Sequence, residues 1–156
     1  MNPEIETYSR YIRKQVADVH AALNGLSEEQ LNGRPDLPGA NSGYVIATHV
    51  LGNARAWVLG IVCGQPLRRD RPGEFASSGT CGELGQSACA LSAEIDVALA
   101  ALDPSTLDHR FVPLQELWGE GEAKEISRRE GLAHVLEHAA MHLGQIQVTV
   151  DLVRRL

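Results

Sequence analysis

Residues 127–146 read Ser-Arg-Arg-Glu-Gly-Leu-Ala-His-Val-Leu-Glu-His-Ala-Ala-Met-His-Leu-Gly-Gln-Ile and contain three of the six histidines of the chain. These histidines, His134, His138 and His142, follow one another at intervals of four residues. Four residues are about one turn of an α-helix, so the three imidazoles should stack along one side of a helix. Two histidines one turn apart can present their nitrogens to one metal ion.

The rest of the chain predicts further helices and almost no strand. Apolar residues recur at three- and four-residue steps in four long segments, at about residues 3–23, 42–61, 83–102 and 127–154. Either Asn41 or Ser42 is suited to cap the second of these helices, and Ser127 is suited to cap the fourth. Two long connections, residues 65–82 and 105–126, hold many of the helix breakers. We therefore predict an all-α fold, a four-helix bundle in a single domain covering residues 1–156.

The composition restricts the partners that the protein can have. The net charge is −6 and no dense basic patch occurs, so binding to nucleic acid or to an anionic membrane is not expected. No signal peptide is apparent and no apolar run approaches the roughly 18 residues of a membrane span, which predicts a cytoplasmic protein. The three cysteines lack a Cys-x-x-Cys spacing and are expected to be free thiols. The arginines between residues 68 and 71 are expected to lie on a solvated loop.

A helical wheel places the histidines relative to the predicted core. At about 100° per residue, His138 and His142 lie at the edge of the apolar face, and His134 is more peripheral. Apolar residues flank the histidines on the other side as well, and we expect these to pack within the bundle: Met141, Val148 and Leu152. A buried imidazole needs partners for both nitrogens. The histidines are therefore either hydrogen-bonded within the core or bound to a metal.

His49 is the natural third member of a metal site. It lies in the middle of the second predicted helix on an apolar face, whereas the other two histidines lie near a helix end and in a loop. Three imidazoles from two facing helices would leave coordination positions open to water or substrate. Neutral imidazole ligands suit Zn²⁺ or Ni²⁺. Asn53 and Gln145 lie one turn from these ligands, where they either support the site or are ordinary amides at the edge of the core.

The chain resembles members of the DinB-like superfamily in three places. Residues 43–50, followed by Trp57, are similar to the histidine-bearing second helix of that family, and residues 69–75 are similar to its middle segment. The most specific likeness is in residues 127–146. The resemblance implies a four-helix bundle, often a homodimer, with a divalent metal held by His49, His138 and His142. His134 matches a position that usually supports the ligands.

The resemblance also implies a class of chemistry. Characterised relatives include metal-dependent S-transferases and isomerases that use low-molecular-weight thiols such as bacillithiol, mycothiol or glutathione. We therefore expect a transferase that acts on a small-molecule electrophile with such a thiol as cofactor. Glu137 is predicted to point away from the metal, and no other acid is an obvious general base. A hydrolase that uses metal-bound water and a non-catalytic metal-binding bundle in a stress response remain the alternatives.

Overall fold

The computed structural model describes residues 2–155. In chain order, its elements are α1 (Pro3–Ala21), α2 (Glu28–Asn32), α3 (Gly43–Ala54), α4 (Arg71–Phe75), α5 (Cys81–Ala100), β1 (Arg110–Phe111), α6 (Gln115–Trp118), β2 (Ile126–Ser127) and α7 (Arg128–Val153). Helix α3 continues as a π-helical segment, Arg55–Val62. The two short strands pair antiparallel just before α7 begins.

The four long helices pack around one hydrophobic core. Helix α1 lies against α5 and α7, and α3 contacts the same two helices from the other side. Large aliphatic side chains from all four helices, such as Ile12, Leu59, Ile95 and Leu132, are almost completely buried. The predicted all-α bundle is thereby confirmed.

Capping side chains set the helix boundaries. The side chains of Ser42 and Ser127 accept hydrogen bonds from the first turns of α3 and α7, as their positions in the sequence predict. Helix α5 begins at Cys81 rather than at residue 83, because Thr80 and Glu83 form a capping box there. Helix α1 ends slightly before the predicted boundary, at residue 21.

The connection between α3 and α5 is more ordered than its sequence suggests. It contains the short helix α4, which packs on α3. The expectation that Arg69 lies on a solvated loop is wrong, since its side chain is only 4% exposed. An ion pair with Glu74 of α4 explains this burial, because it compensates the charge that the guanidinium brings into the fold.

The outer face of α7 also departs from expectation. Met141 and Val148 are 62% and 60% exposed, so they do not pack within the bundle as the wheel suggested. Leu152, the third member of that apolar arc, is half-buried. The wheel was misleading because apolar residues lie on both sides of the histidines, and only one of these sides faces the core.

One helical stretch within residues 2–155 meets the length and composition of a membrane span. Gly43–Val62, which joins α3 to its π-helical extension, is long and apolar enough by these two measures. The expectation that no stretch of the chain is so apolar is therefore wrong. Most of this stretch is buried inside the fold, which is typical of a core helix.

Candidate metal centre

Three histidines from two helices converge at one point of the bundle. His49 on α3 is 7% exposed, and His138 and His142 on α7 are half-buried. Their candidate ligand nitrogens all lie within 4.8 Å of one another. The Nε2 atoms of His49 and His138 are 3.1 Å apart. The structure thus brings together the three residues that the sequence singled out.

The spacing of these nitrogens suits a shared cation. Two imidazoles bound at about 2.1 Å with an angle between 90° and 110° have their nitrogens about 3.0–3.4 Å apart. The 3.1 Å contact between His49 and His138 falls in this range. Because all three nitrogens lie within 4.8 Å of one another, the widest pair has to close by at most about 1.4 Å. The residues present therefore fit a divalent ion.

A buried carboxylate orients His49. The Nδ1 atom of His49 lies 2.9 Å from Oε2 of Glu74, which belongs to α4. A carboxylate can only accept, so Nδ1 carries the proton and donates it. In the neutral tautomer with this proton, the lone pair of His49 is on Nε2, the atom that faces Nε2 of His138. This is the arrangement in which a carboxylate fixes the tautomer of a metal-binding histidine.

Glu74 is itself held by Arg69. The Nε and Nη2 atoms of Arg69 donate to the two carboxylate oxygens at 2.7 and 2.9 Å. Burial acts to raise the pKa of Glu74, but hydrogen bonds from His49 and Arg69, together with the charge of Arg69, lower the pKa below its ordinary value. Gly52 of α3 makes room for this carboxylate, because a Cβ at that position would collide with Oε1 of Glu74. The carboxylate is therefore ionised and fixed in place.

A different side chain orients His142. Its Nδ1 atom donates to Oε1 of Gln145 at 2.7 Å, which leaves Nε2 with its lone pair. Burial lowers the pKa of His142, and the nearby His49 lowers it further, although the hydrogen bond to Gln145 acts in the opposite direction. His142 is therefore a neutral imidazole at physiological pH with its free nitrogen on the side away from Gln145.

His138 has no such orienting partner. Its Nδ1 atom is buried and makes no hydrogen bond within the described part of the chain. Burial, followed by the proximity of His142 and His49, lowers the pKa of His138 from 6.5 to about 3. The ring is therefore neutral at physiological pH, which is the charge state in which an imidazole binds a metal.

The other predicted supporting residues take different positions. His134 lies outside the cluster of ligand nitrogens and stacks on Trp57, with ring centroids 3.8 Å apart. The Oδ1 atom of Asn53 is buried without a hydrogen-bond partner in residues 2–155. Among His134, Asn53 and Gln145, only Gln145 forms a hydrogen bond with a histidine of the cluster.

A cavity of about 330 Å³ opens beside the histidines. His49 and His138 form part of its wall, and the aromatic rings of Trp57 and Trp118 form another part. A larger cavity of about 830 Å³ lies around residues 60–68 and 109–117, and none of the three clustered histidines lines it. The smaller cavity is therefore the one from which a substrate could reach the histidines.

Sequence reasoning missed the pair of Glu74 and Arg69. Both residues lie in a segment rich in Pro, Gly and charged residues, where no helical periodicity assigns a side chain to the core or to solvent. The available signal was the likeness of residues 69–75 to the middle segment of the family. That likeness pointed to the segment but gave no partner for the carboxylate.

The fold and site together define a helical-bundle protein with a histidine cluster able to hold a divalent metal. A model of the DinB superfamily matches residues 11–146, and the chain belongs to this superfamily. A search of curated proteins finds no significant match to the chain. The family thus accounts for the bundle and for the histidines, and leaves the reaction to be inferred from the site.

Proposed function

We propose that the protein is a metal-dependent transferase that joins a low-molecular-weight thiol to a small electrophile. The observation that carries this proposal is the cluster of His49, His138 and His142, of which His49 and His138 line a cavity. Three protein ligands leave positions on the metal for a further ligand, which is typical of catalytic rather than structural sites. The cavity beside two of these histidines supplies space for such a ligand.

The chain's own residues prepare the site. Glu74 and Gln145 hold two of the imidazoles in the tautomer that offers Nε2. Bound zinc or nickel, the ions that imidazole ligands favour, would lower the pKa of a coordinated thiol and so supply a thiolate at neutral pH. Trp57 and Trp118 supply aromatic surface in the wall of the cavity.

The thiol is best supplied by a cofactor rather than by the protein. The three cysteines are free, but none of them lines the cavity beside the histidines. Burial raises the pKa of Cys63 to about 11, which keeps this thiol protonated and unreactive. A diffusible thiol, in contrast, can enter the cavity and reach the histidine cluster.

The carboxylates at the site favour a transferase over a hydrolase. Both oxygens of Glu74 are engaged by Arg69 and His49, so this residue is not free to accept a proton from water. Glu120 also lines the cavity, but its side chain is 89% exposed and lies at the mouth. A thiolate nucleophile needs no general base at the moment of attack, which is why it suits this site better.

Elemental analysis of the purified protein tests the metal site directly. We expect at most one divalent ion per chain, and its loss in His49→Ala. His109→Ala is the matched control, because it removes an imidazole from the neighbouring larger cavity. An ion that remains bound in His49→Ala at the wild-type level would rule out the site as described.

Turnover assays then separate the candidate functions. Conversion of a small electrophile that requires both the metal and glutathione, mycothiol or bacillithiol supports the transferase. Conversion without any thiol would identify a hydrolase, and tight metal binding without turnover of either substrate class would leave a non-catalytic metal-binding protein.

We further propose a cytoplasmic homodimer that acts on small molecules. The exposed side chains of Met141 and Val148 give α7 an apolar outer face, which is a suitable surface for a second copy. Sedimentation equilibrium of the wild type and of Met141→Glu tests this state. A monomeric wild type at micromolar concentration would exclude it.

A further inference from the structure

Two residues that line the cavity each carry a polar group that has no partner among residues 2–155. Trp57 and Asn53 are 3% and 4% exposed, and both line the cavity. The Nε1 atom of Trp57 and the Oδ1 atom of Asn53 are buried without a hydrogen bond in residues 2–155. Neither atom has appreciable accessible surface, although both residues border the cavity. A buried polar group left unpaired costs about 1–3 kcal/mol, so an occupant that reaches these atoms after a small shift of the surrounding side chains is favoured by satisfying them.

These groups are aligned with the candidate metal ligand. His49, Asn53 and Trp57 follow one another at intervals of four residues along α3 and its extension. All three line the same cavity. Because all three residues border one cavity of about 330 Å³, a molecule in that cavity lies close to the imidazole and to both residues that carry the unpaired groups.

Two neighbouring aromatic rings restrict which part of the Trp57 side chain can contact a ligand. His134 stacks on the indole with an interplanar angle of 29°, and the ring of Trp118 lies 5.1 Å away at 40°. These two rings occupy part of the indole surface, and the group without a partner in residues 2–155 is the N–H at its edge. Trp118 is only half-buried and leaves aromatic surface on the cavity side.

We propose that the cavity binds a small planar carbonyl compound as the electrophilic substrate. Its carbonyl oxygen accepts a hydrogen bond from Nε1 of Trp57, since an indole N–H can only donate. Its plane packs against Trp118, and the amide of Asn53 binds an N–H or O–H group of the same molecule. This inference rests on the proposed function, because it names the class of electrophile for that site.

Nuclear magnetic resonance of the indole groups tests the proposal without metal or thiol. The chain has two tryptophans, so its ¹H–¹⁵N spectrum contains two indole signals, and Trp118→Phe leaves that of Trp57 alone. Benzamide is the probe, and ethylbenzene is the matched compound without a carbonyl. We expect benzamide to move the indole proton of Trp57 downfield in a saturable way, and ethylbenzene to leave it without a downfield shift.

A variant measures the contribution of the same hydrogen bond. Trp57→Phe keeps an aromatic ring but removes the donor, and should weaken benzamide binding about two- to tenfold. If this variant does not fold, the shift of the Trp57 indole proton in the protein that keeps Trp57 still tests the proposal. The proposal is overturned if benzamide leaves the Trp57 proton in place, if ethylbenzene moves it equally, or if Trp57→Phe binds benzamide as tightly as the wild type.

These outcomes are independent of the proposed metal chemistry. Loss of the benzamide effect, with metal- and thiol-dependent turnover intact, would refute the substrate class alone. A metal content unaffected by His49→Ala would refute the metal site while leaving the indole shift unchanged.

Discussion

Replacing Glu74 by Gln should weaken both the metal site and the fold. The change keeps the size of the side chain but removes the charge that faces Arg69. It also leaves one acceptor oxygen for the three N–H groups of Arg69 and His49 that now share two. Loss of a residue that orients a metal-binding histidine typically costs 10–100-fold in metal affinity, or about 1.4–2.7 kcal/mol. Because the side chains of Arg69 and Glu74 are only 4% and 8% exposed, the arginine would also be left as an unpaired buried charge. Removing one partner of such a pair costs about 3–5 kcal/mol of stability.

Chelator competition with Zn²⁺ and urea unfolding of the metal-free protein measure these two effects separately. Glu120→Gln is the matched control, because it makes the same chemical change at the mouth of the same cavity on a side chain that is 89% exposed. We expect the control to match the wild type in both assays. If Glu74→Gln bound Zn²⁺ within twofold of the wild type, the carboxylate would not be positioning His49, and our reading of the site would be wrong.

Two further predictions concern the same site. Gly52→Ala should lower both the free energy of unfolding and the Zn²⁺ affinity, because the added Cβ would displace the carboxylate of Glu74. Gly144→Ala in α7 is the comparison, since no atom lies within 4 Å of the added Cβ, and it should raise the free energy of unfolding by up to about 1 kcal/mol. Equal effects of the two alanines would contradict this. The free energy of unfolding of the metal-free protein should fall as the pH drops from about 6.5 to 4.5. In this range His138 binds a proton in the unfolded chain but not in the folded protein, where its pKa is about 3, so protonation favours unfolding. Urea unfolding of His138→Gln should show a shallower decline, and an unchanged slope would refute this role.

Helical periodicity was sufficient to identify the histidine cluster. His49 and His138 belong to two regular helices, and in a regular helix the position of a residue in the sequence fixes the direction of its side chain. The spacing of four residues placed His138 and His142 on one side, and the apolar surroundings of His49 placed it in the interior. Packing of α3 against α7 then brought these faces together.

The partners of the histidines could not be predicted in the same way. Glu74 reaches His49 because the connection after α3 folds back and α4 packs on that helix. The path of this connection depends on long-range contacts rather than on the local sequence pattern. In the sequence alone, an arginine and a glutamate in a loop are expected to be exposed to solvent. The exposure of Met141 has a related cause, since a wheel shows which residues share a face but not which face is covered.

The two sides of the site differ in how much sequence change they tolerate, because one side is built from long helices and the other from a short helix and a loop. The three histidines, Asn53 and Trp57 lie on long helical segments. Helix geometry therefore sets the distance between the candidate metal ligands and the proposed substrate contacts. The opposite wall comes from Trp118 at the end of the short helix α6 and from the following residues, which include Gly119 with a φ of 105°. Changes in that wall would alter the shape of the cavity without moving a ligand. We therefore expect the metal chemistry to depend on α3 and α7, and the choice of electrophile to depend chiefly on the segment around Trp118.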